Sequence, residues 1–310
     1  MITALATGYS VLGDKKYIKA AKQCAEFIWS QQWKDGKLYR IYKDGQTSIA
    51  GCLEDYAYLL EALVTLYETS LEVDWIVRAG QIADAMIEDF WDEEEGGFFL
   101  SGKSGEQLVS KLKNQADEAM PSANAAASIA LLRLGRLTGK NKYIEKSEAT
   151  VQACHSFIEQ SPAAFTGLLS TLSASSLSPT EAIFVGIRDS SEFEEMWKVL
   201  HSDYRPNKVV MWNENEQTAE LLPLAGDKTS NQGEAAVYVC QKGTCHPPVN
   251  TAKALDRLLE RPQEIRLNIF DENKKNAQIL EQEQNNFMGV MGQIFQQSGI
   301  NRPSKDRGQG

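Results

Sequence analysis

Two acidic residues stand where carboxylate chemistry is readily built. Asp55 follows Glu54 at the start of a strongly apolar run, Leu53 to Tyr67, and Asp117 lies four residues before Pro121, a residue suited to the first turn of a helix. If the two helices run parallel, both carboxylates project from one mouth, as a hydrolase or epimerase needs for general acid/base work. Glu54, Ser122 and Asn124 add hydrogen-bonding groups for a polyol, and Tyr56, Tyr58, Trp91 and Phe98 add faces on which a sugar ring stacks. A plainer account covers the same residues. Acidic side chains at helix N-termini are favoured by the dipole and by capping alone, and aromatics at such spacing pack cores and hairpins.

Other reactive side chains point away from metals and nucleophiles. Cys240 and Cys245 followed by His246 lack the second ligand pair that a structural zinc site needs, which leaves a buried or edge-strand cysteine pair or a regulatory disulfide. The run Asp92 to Glu95 reads as a solvated turn, because it lacks the alternating ligands of a calcium loop. No metal and no other cofactor is expected. His155, His201 and His246 fall on an outer helix, in a later α/β segment and beside Cys245, and no nucleophile elbow supports a Ser-His-Asp triad.

The elements that must position the acidic pair are helical. Amphipathic patterns run over 1–12, 15–31, 54–69, 73–90, 121–138, 141–159 and 163–175. Leu12-Gly13-Asp14 and Thr138-Gly139-Lys140 each place a glycine past a helix end and an aromatic, Tyr17 or Tyr143, four residues later; Ser70 to Trp75 does the same without glycine. Three matching junctions about 60–70 residues apart indicate a repeat of helical hairpins. Trp33 to Tyr39 and Trp91 to Phe99 both run from Trp through an acidic turn and glycine into apolar residues, a short β-hairpin pattern. Leu53 to Tyr67 is apolar around most of its circumference and Ala123 to Gly135 is alanine-rich, so these are expected as inner helices.

Past Ser173 the pattern changes. Glu181 to Ile187, Lys208 to Trp212 and Ala235 to Cys240 read as strands and Glu192 to Tyr204 as a helix, a small α/β unit. From about Arg261 the chain is polar and Gln/Asn-rich, with a helix near Lys274 to Gln297 at most and otherwise a disordered end. The expected division is 1–178, 179–260 and 261–310. A net charge of -10 and a pI near 5.0 disfavour nucleic acid and anionic membranes as partners. Five scattered cysteines and an N-terminus without a basic n-region point to a reducing, cytoplasmic setting with neither signal peptide nor membrane span.

Four ordered motifs carry a family resemblance: Gly51-Cys52-Leu53-Glu54-Asp55-Tyr56-Ala57-Tyr58, then Phe90-Trp91-Asp92 to Gly96-Gly97-Phe98-Phe99, then Asp117-Glu118-Ala119-Met120-Pro121-Ser122-Ala123-Asn124, and Tyr238-Val239-Cys240 to Cys245-His246-Pro247-Pro248. Over roughly Met1 to Leu259 the chain resembles the thioredoxin-fused six-hairpin family, the YyaL-type or spermatogenesis-associated thioredoxin domain proteins. The resemblance implies an (α/α)6 toroid of helical hairpins, six-hairpin glycosidase-like and related to sugar epimerases. It also implies that the thioredoxin domain and first hairpins are missing here, so no thiol chemistry of that domain is carried over. The expected architecture is mainly α, a partial toroid with a small C-terminal α/β unit. The expected function is binding or processing of a sugar-like ligand at the inner-helix mouth, with Asp55 and Asp117 catalytic. The alternatives are a non-enzymatic interaction scaffold or an inactive fragment. Histidine-lined epimerase chemistry is disfavoured, and an open ring would leave apolar inner-helix surface in water and promote self-association.

Overall fold

The computed structural model describes residues 1–103, 111–231 and 233–259. The tail expected to be part helical lies outside the described residues. Six long helices pair into hairpins: α1 (Ile2–Leu12) with α2 (Lys15–Gln31), α3 (Leu53–Ser70) with α4 (Val73–Phe90), and α5 (Ala123–Thr138) with α6 (Asn141–Ala153).

All three hairpins turn by the same two-residue device. Gly13, Leu71 and Gly139 adopt the left-handed conformation at φ 71°, 56° and 66°. The next residue, Asp14, Glu72 or Lys140, is extended, and its carbonyl accepts the N–H of Tyr17, Trp75 or Tyr143 at 3.1 Å. Leu71 is the informative case, since a left-handed conformation costs a non-glycine residue roughly 1–2 kcal/mol. Burial of its side chain and the N–H bond to the Tyr67 carbonyl at 2.6 Å offset that cost.

Composition decides which helix of each pair lies inside. α3 is buried along nearly its whole length from Ala57 onward, and α5 buries a run of alanines and leucines on several sides. α3 packs between α1 and α5. The outer helices bury a single stripe, such as Ile18, Ala21 and Ala25 on α2. Gly135 permits a close α5–α6 approach, because a Cβ there would stand 2.6 Å from Ile144 Cγ1.

Between the first two pairs lies a meander of β1 (Trp33–Lys34), β2 (Lys37–Lys43) and β3 (Gln46–Ala50). Both of its turns, Asp35-Gly36 and Asp44-Gly45, carry two successive positive φ angles, the primed hairpin geometry. The sequence reading anticipated the first turn and overlooked the second, although the Asp-Gly signal is the same. The Trp91 to Phe99 segment closes with one antiparallel bridge, Trp91 to Phe98, rather than a full hairpin.

The expected helix over 141–159 is broken. α6 ends at Ala153, and α7 (His155–Gln160) restarts after buried Cys154. Cys154 and Ile158 thereby join a small cluster with Ala125, Phe165 and Leu168. A 3-10 turn at Pro162–Ala164 then delays α8 (Thr166–Ser176), which packs on α5.

The remaining elements are β4 (Thr180–Val185), α9 (Ser191–Ser202), β5 (Lys208–Asn213), α10 (Glu216–Leu221), α11 (Pro223–Gly226), β6 (Ala236–Gln241), β7 (Thr244–Cys245) and α12 (Ala252–Leu259). The sheet order is β5-β4-β6-β7, with β4 parallel to β5 and antiparallel to β6. Ile183, Val209, Met211 and Cys240 belong to the same apolar cluster as the inner helices, so the sheet and the helices share one core. Phe184 packs on Phe193 and Trp197 of α9, with ring centroids 4.7 and 5.7 Å away.

Candidate active-site mouth

The inner helices α3 and α5 run parallel. Tyr58, early in α3, donates its hydroxyl proton to the Pro121 carbonyl just before α5 at 2.6 Å, whereas Thr65 and Glu68, late in α3, meet Arg133 late in α5. Their N-terminal ends therefore share one mouth, and their C-terminal ends lie against β5.

One face of α3 carries Glu54, Tyr58, Glu61, Thr65 and Glu68 at alternating spacings of four and three, the repeat of a single helical stripe. At the mouth end, burial pushes the Tyr58 phenol up, and the carboxylates of Glu61, Glu54 and Asp117 push it further. Glu54 and Glu61 flank Tyr58 on the same stripe, and the Tyr58 bond to Pro121 sets its hydroxyl next to Ser122, whose N–H is accepted by Asp117. Burial also pushes the Glu61 carboxyl up, with Arg133 opposing. Burial would raise Asp117 as well, but there the donors prevail. It accepts the Gly167 N–H at 2.7 Å, the Ser122 N–H at 2.8 Å and the Thr166 hydroxyl at 2.9 Å, and is held below the usual carboxylate range.

Asp55 has different surroundings. At the third position of α3 it accepts the Cys52 N–H at 2.9 Å, forming a capping box, and its other oxygen lies 3.6 Å from Arg40 Nε. Glu54 lies 3.7 Å from the same guanidinium. Asp55 is therefore one residue off the stripe, facing the β2 meander, while Glu54 lies on it.

The remaining anticipated residues are buried in the framework around these helix ends. Tyr56 is buried and its hydroxyl oxygen accepts the Leu38 N–H at 2.8 Å. Trp91 and Phe98 are buried edge to face at 4.9 Å. Ser122 is the N-cap of α5, accepting the Ala125 N–H at 3.2 Å, which places Pro121 before the cap rather than in the first turn. Asn124, fully buried, accepts the Phe98 N–H at 2.8 Å and donates to the carbonyls of Phe98 at 3.0 Å and Asn114 at 2.8 Å. These side chains tie the 91–99 and 114–122 loops to the start of α5.

The sequence reading missed Glu61. Its signal was available, since a polar residue every three or four positions in a helix otherwise apolar all round marks a face that meets something other than core. It also missed the far end of the stripe. There Arg133 donates to Thr65 Oγ1 at 3.1 Å and to Glu68, whose second oxygen is buried without a hydrogen-bond partner. Burial pushes Lys208, at the start of β5, down to about 8, against the pull of Glu68.

Among the described residues, no group of three His, Cys, Asp or Glu side chains converges as a metal site requires, and no helix is long and apolar enough to cross a membrane.

No family model matches the chain. It is 29% identical over 273 residues to human spermatogenesis-associated protein 20, covering 84% of this chain, and 29% identical over 275 residues to the rat protein. An uncharacterized Caenorhabditis elegans protein is 26% identical over 268 residues. The chain spans 35% of the length of the human and rat relatives. Among solved structures, a GH76 alpha-mannanase of Bacteroides thetaiotaomicron aligns with a TM-score of 0.41 and 15% identity, covering 50% of this chain and 42% of that one. The chain is thus similar, over 84% of its length, to spermatogenesis-associated protein 20.

Proposed function

We propose that the shared mouth of α3 and α5 binds a sugar-like ligand as part of a carbohydrate-binding or carbohydrate-processing (α/α) toroid. The observation that carries this reading is the placement of Glu54 and Glu61 beside Tyr58 on one stripe of α3, with the Tyr58 hydroxyl bonded to Pro121 next to the Ser122 N–H that Asp117 accepts. The carboxylate environments differ in the way a two-carboxylate site can use: donors hold Asp117 below the usual carboxylate range, suited to stabilising developing positive charge, while burial raises Glu61, suited to a general acid. In this reading Asp55 fixes the start of α3, on which Glu54 and Tyr58 ride. Ser122, Asn124, Tyr56, Trp91 and Phe98 position the loops that frame the mouth.

The capping box at Asp55 and the three donors at Asp117 equally suit a non-enzymatic scaffold, in which both carboxylates serve the fold. Calorimetry of the parent, Glu61→Gln, Asp55→Asn and Asp117→Asn against neutral monosaccharides and glycans separates the two. Binding by the parent that weakens tenfold or more in Glu61→Gln supports the sugar site, and a parent that binds no glycan in the panel refutes it. The inner helices α3 and α5 are buried along nearly their whole length within the chain, so the apolar surface expected to drive self-association is not exposed on them.

A further inference from the structure

The cysteine pair on the sheet edge is separate from the mouth and has no part in the function proposed for it. Cys240 is the penultimate residue of β6, Cys245 is the last of β7, and the two stand directly opposite in an antiparallel hairpin with a bonded disulfide and Cα atoms 3.9 Å apart. The turn between them, Lys242-Gly243, has φ angles of 52° and 73°, so it closes by its own primed geometry. On the far side the His246 N–H donates to the Val239 carbonyl at 3.0 Å. The pair therefore occupies the close position between two bonded rungs of the ladder, where side chains meet most nearly. The turn and the ladder hydrogen bond that set this register involve neither sulfur.

Burial makes the pair asymmetric. Cys240 is fully enclosed in the main core, whereas Cys245 is partly exposed beside a turn, Gln241 to Thr244, whose four residues are all exposed. β7 is also an edge strand of only two residues, so an incoming group meets one sulfur and not the other. The other cysteines have different surroundings. Cys24, Cys52 and Cys154 are unpaired, and burial pushes the Cys154 thiol up to about 11 and raises that of Cys52, which makes both poor thiolates at neutral pH.

We propose that Cys240 and Cys245 form a reversible thiol–disulfide exchange site that takes a dithiol as its reactant and is entered at Cys245. A thiolate of the dithiol attacks Cys245 Sγ and forms a mixed disulfide; the Cys240–Cys245 bond breaks, and its electron pair leaves on Cys240 Sγ, which takes up a proton. The second thiolate of the dithiol then displaces Cys245, which is protonated in turn. Two electrons and two protons have passed to the chain, the dithiol has become a cyclic disulfide, and the reverse sequence reoxidises the pair. The hairpin hydrogen bonds persist throughout.

The test equilibrates the folded full chain in buffers of reduced and oxidised dithiothreitol, quenches with N-ethylmaleimide, and counts adducts on the peptide carrying both cysteines by mass spectrometry. The expected result is a transition from zero to two adducts with the same midpoint from the reduced and oxidised starts, and an unchanged far-ultraviolet circular dichroism spectrum. Resistance to reduction until urea unfolds the chain, or failure of the reduced, folded pair to reoxidise, overturns the proposal. Direction of entry is read from single variants treated with 5,5′-dithiobis(2-nitrobenzoate). Cys245 in Cys240→Ser is expected to react at least tenfold faster than Cys240 in Cys245→Ser, and equal rates refute entry at Cys245. If neither variant folds, partial reduction of the parent decides the direction: the trapped mixed disulfide is expected on Cys245, and its appearance on Cys240 refutes it.

Discussion

Asp117→Asn tests the mouth most directly, because the substitution keeps shape while removing charge and half of the acceptor capacity. The carboxylate accepts from three donors, the N–H groups of Ser122 and Gly167 and the hydroxyl of Thr166, at 2.8, 2.7 and 2.9 Å. An amide has a single carbonyl oxygen, so it serves either Ser122 or the Gly167 and Thr166 side, and its NH2 group confronts the donors left over. Hydrogen bonds to a charged group contribute about 1.5–3 kcal/mol each, and the site is partly exposed, so the loss of one or two amounts to about 2–4 kcal/mol. The pH dependence has a definite sign. The folded pKa lies below its unfolded value, so the contribution is fully present above about pH 4 to 5 and is lost as pH falls through the folded value. Urea unfolding followed by tryptophan fluorescence, at pH 7 and in steps toward pH 3, measures both effects. A difference from the parent below about 0.5 kcal/mol at pH 7, or one that grows as pH falls, refutes the reasoning.

Asn124→Ala removes three hydrogen bonds and leaves the backbone of fully buried Phe98 unpaired; urea unfolding is expected to show a loss of about 3–5 kcal/mol. Arg133→Met strands buried Glu68 and is expected to cost about 3–5 kcal/mol in the same assay, with the Arg133→Met, Glu68→Met double variant recovering at least half of it. Lys208 has a folded pKa pushed down to about 8 by burial, so the folded chain loses this proton before the unfolded chain does. Parent stability therefore gains a contribution as pH rises from about 8 to 10.4, and Lys208→Met is expected to lack that rise in urea unfolding at pH 7, 8.5 and 10.

Much of the helical frame follows from local rules. The junctions at Gly13 and Gly139 are readable because few other residues adopt the left-handed conformation at low cost, and the aromatic four residues later restarts packing in each repeat. Leu71 was placed by analogy with those two, and its φ of 56° shows that repeat position can impose a conformation that residue type disfavours. Inner and outer helices were distinguishable because α3 and α5 are apolar on several sides and the outer helices on one. Local rules failed at Cys154, where the periodicity runs on but packing against Ala125 and Phe165 breaks the helix.

The acidic motifs were visible from residue type, but their division of labour was not. Asp55 and Glu54 are neighbours in sequence, yet a step of about 100° around α3 sends one to the capping box and the other to the stripe. Asp117 is local to Pro121, but Thr166 and Gly167, two of its three donors, come from α8 about 50 residues later. Glu61 carries a raised carboxyl only because the surrounding helices remove water, against the opposing pull of Arg133 on α5. Residue order determined the helices, their caps and the carboxylates available at one mouth. Only tertiary packing decided which of those carboxylates are lowered, which are raised and which serve the backbone, because desolvation and hydrogen-bond donors arrive from segments distant in the chain.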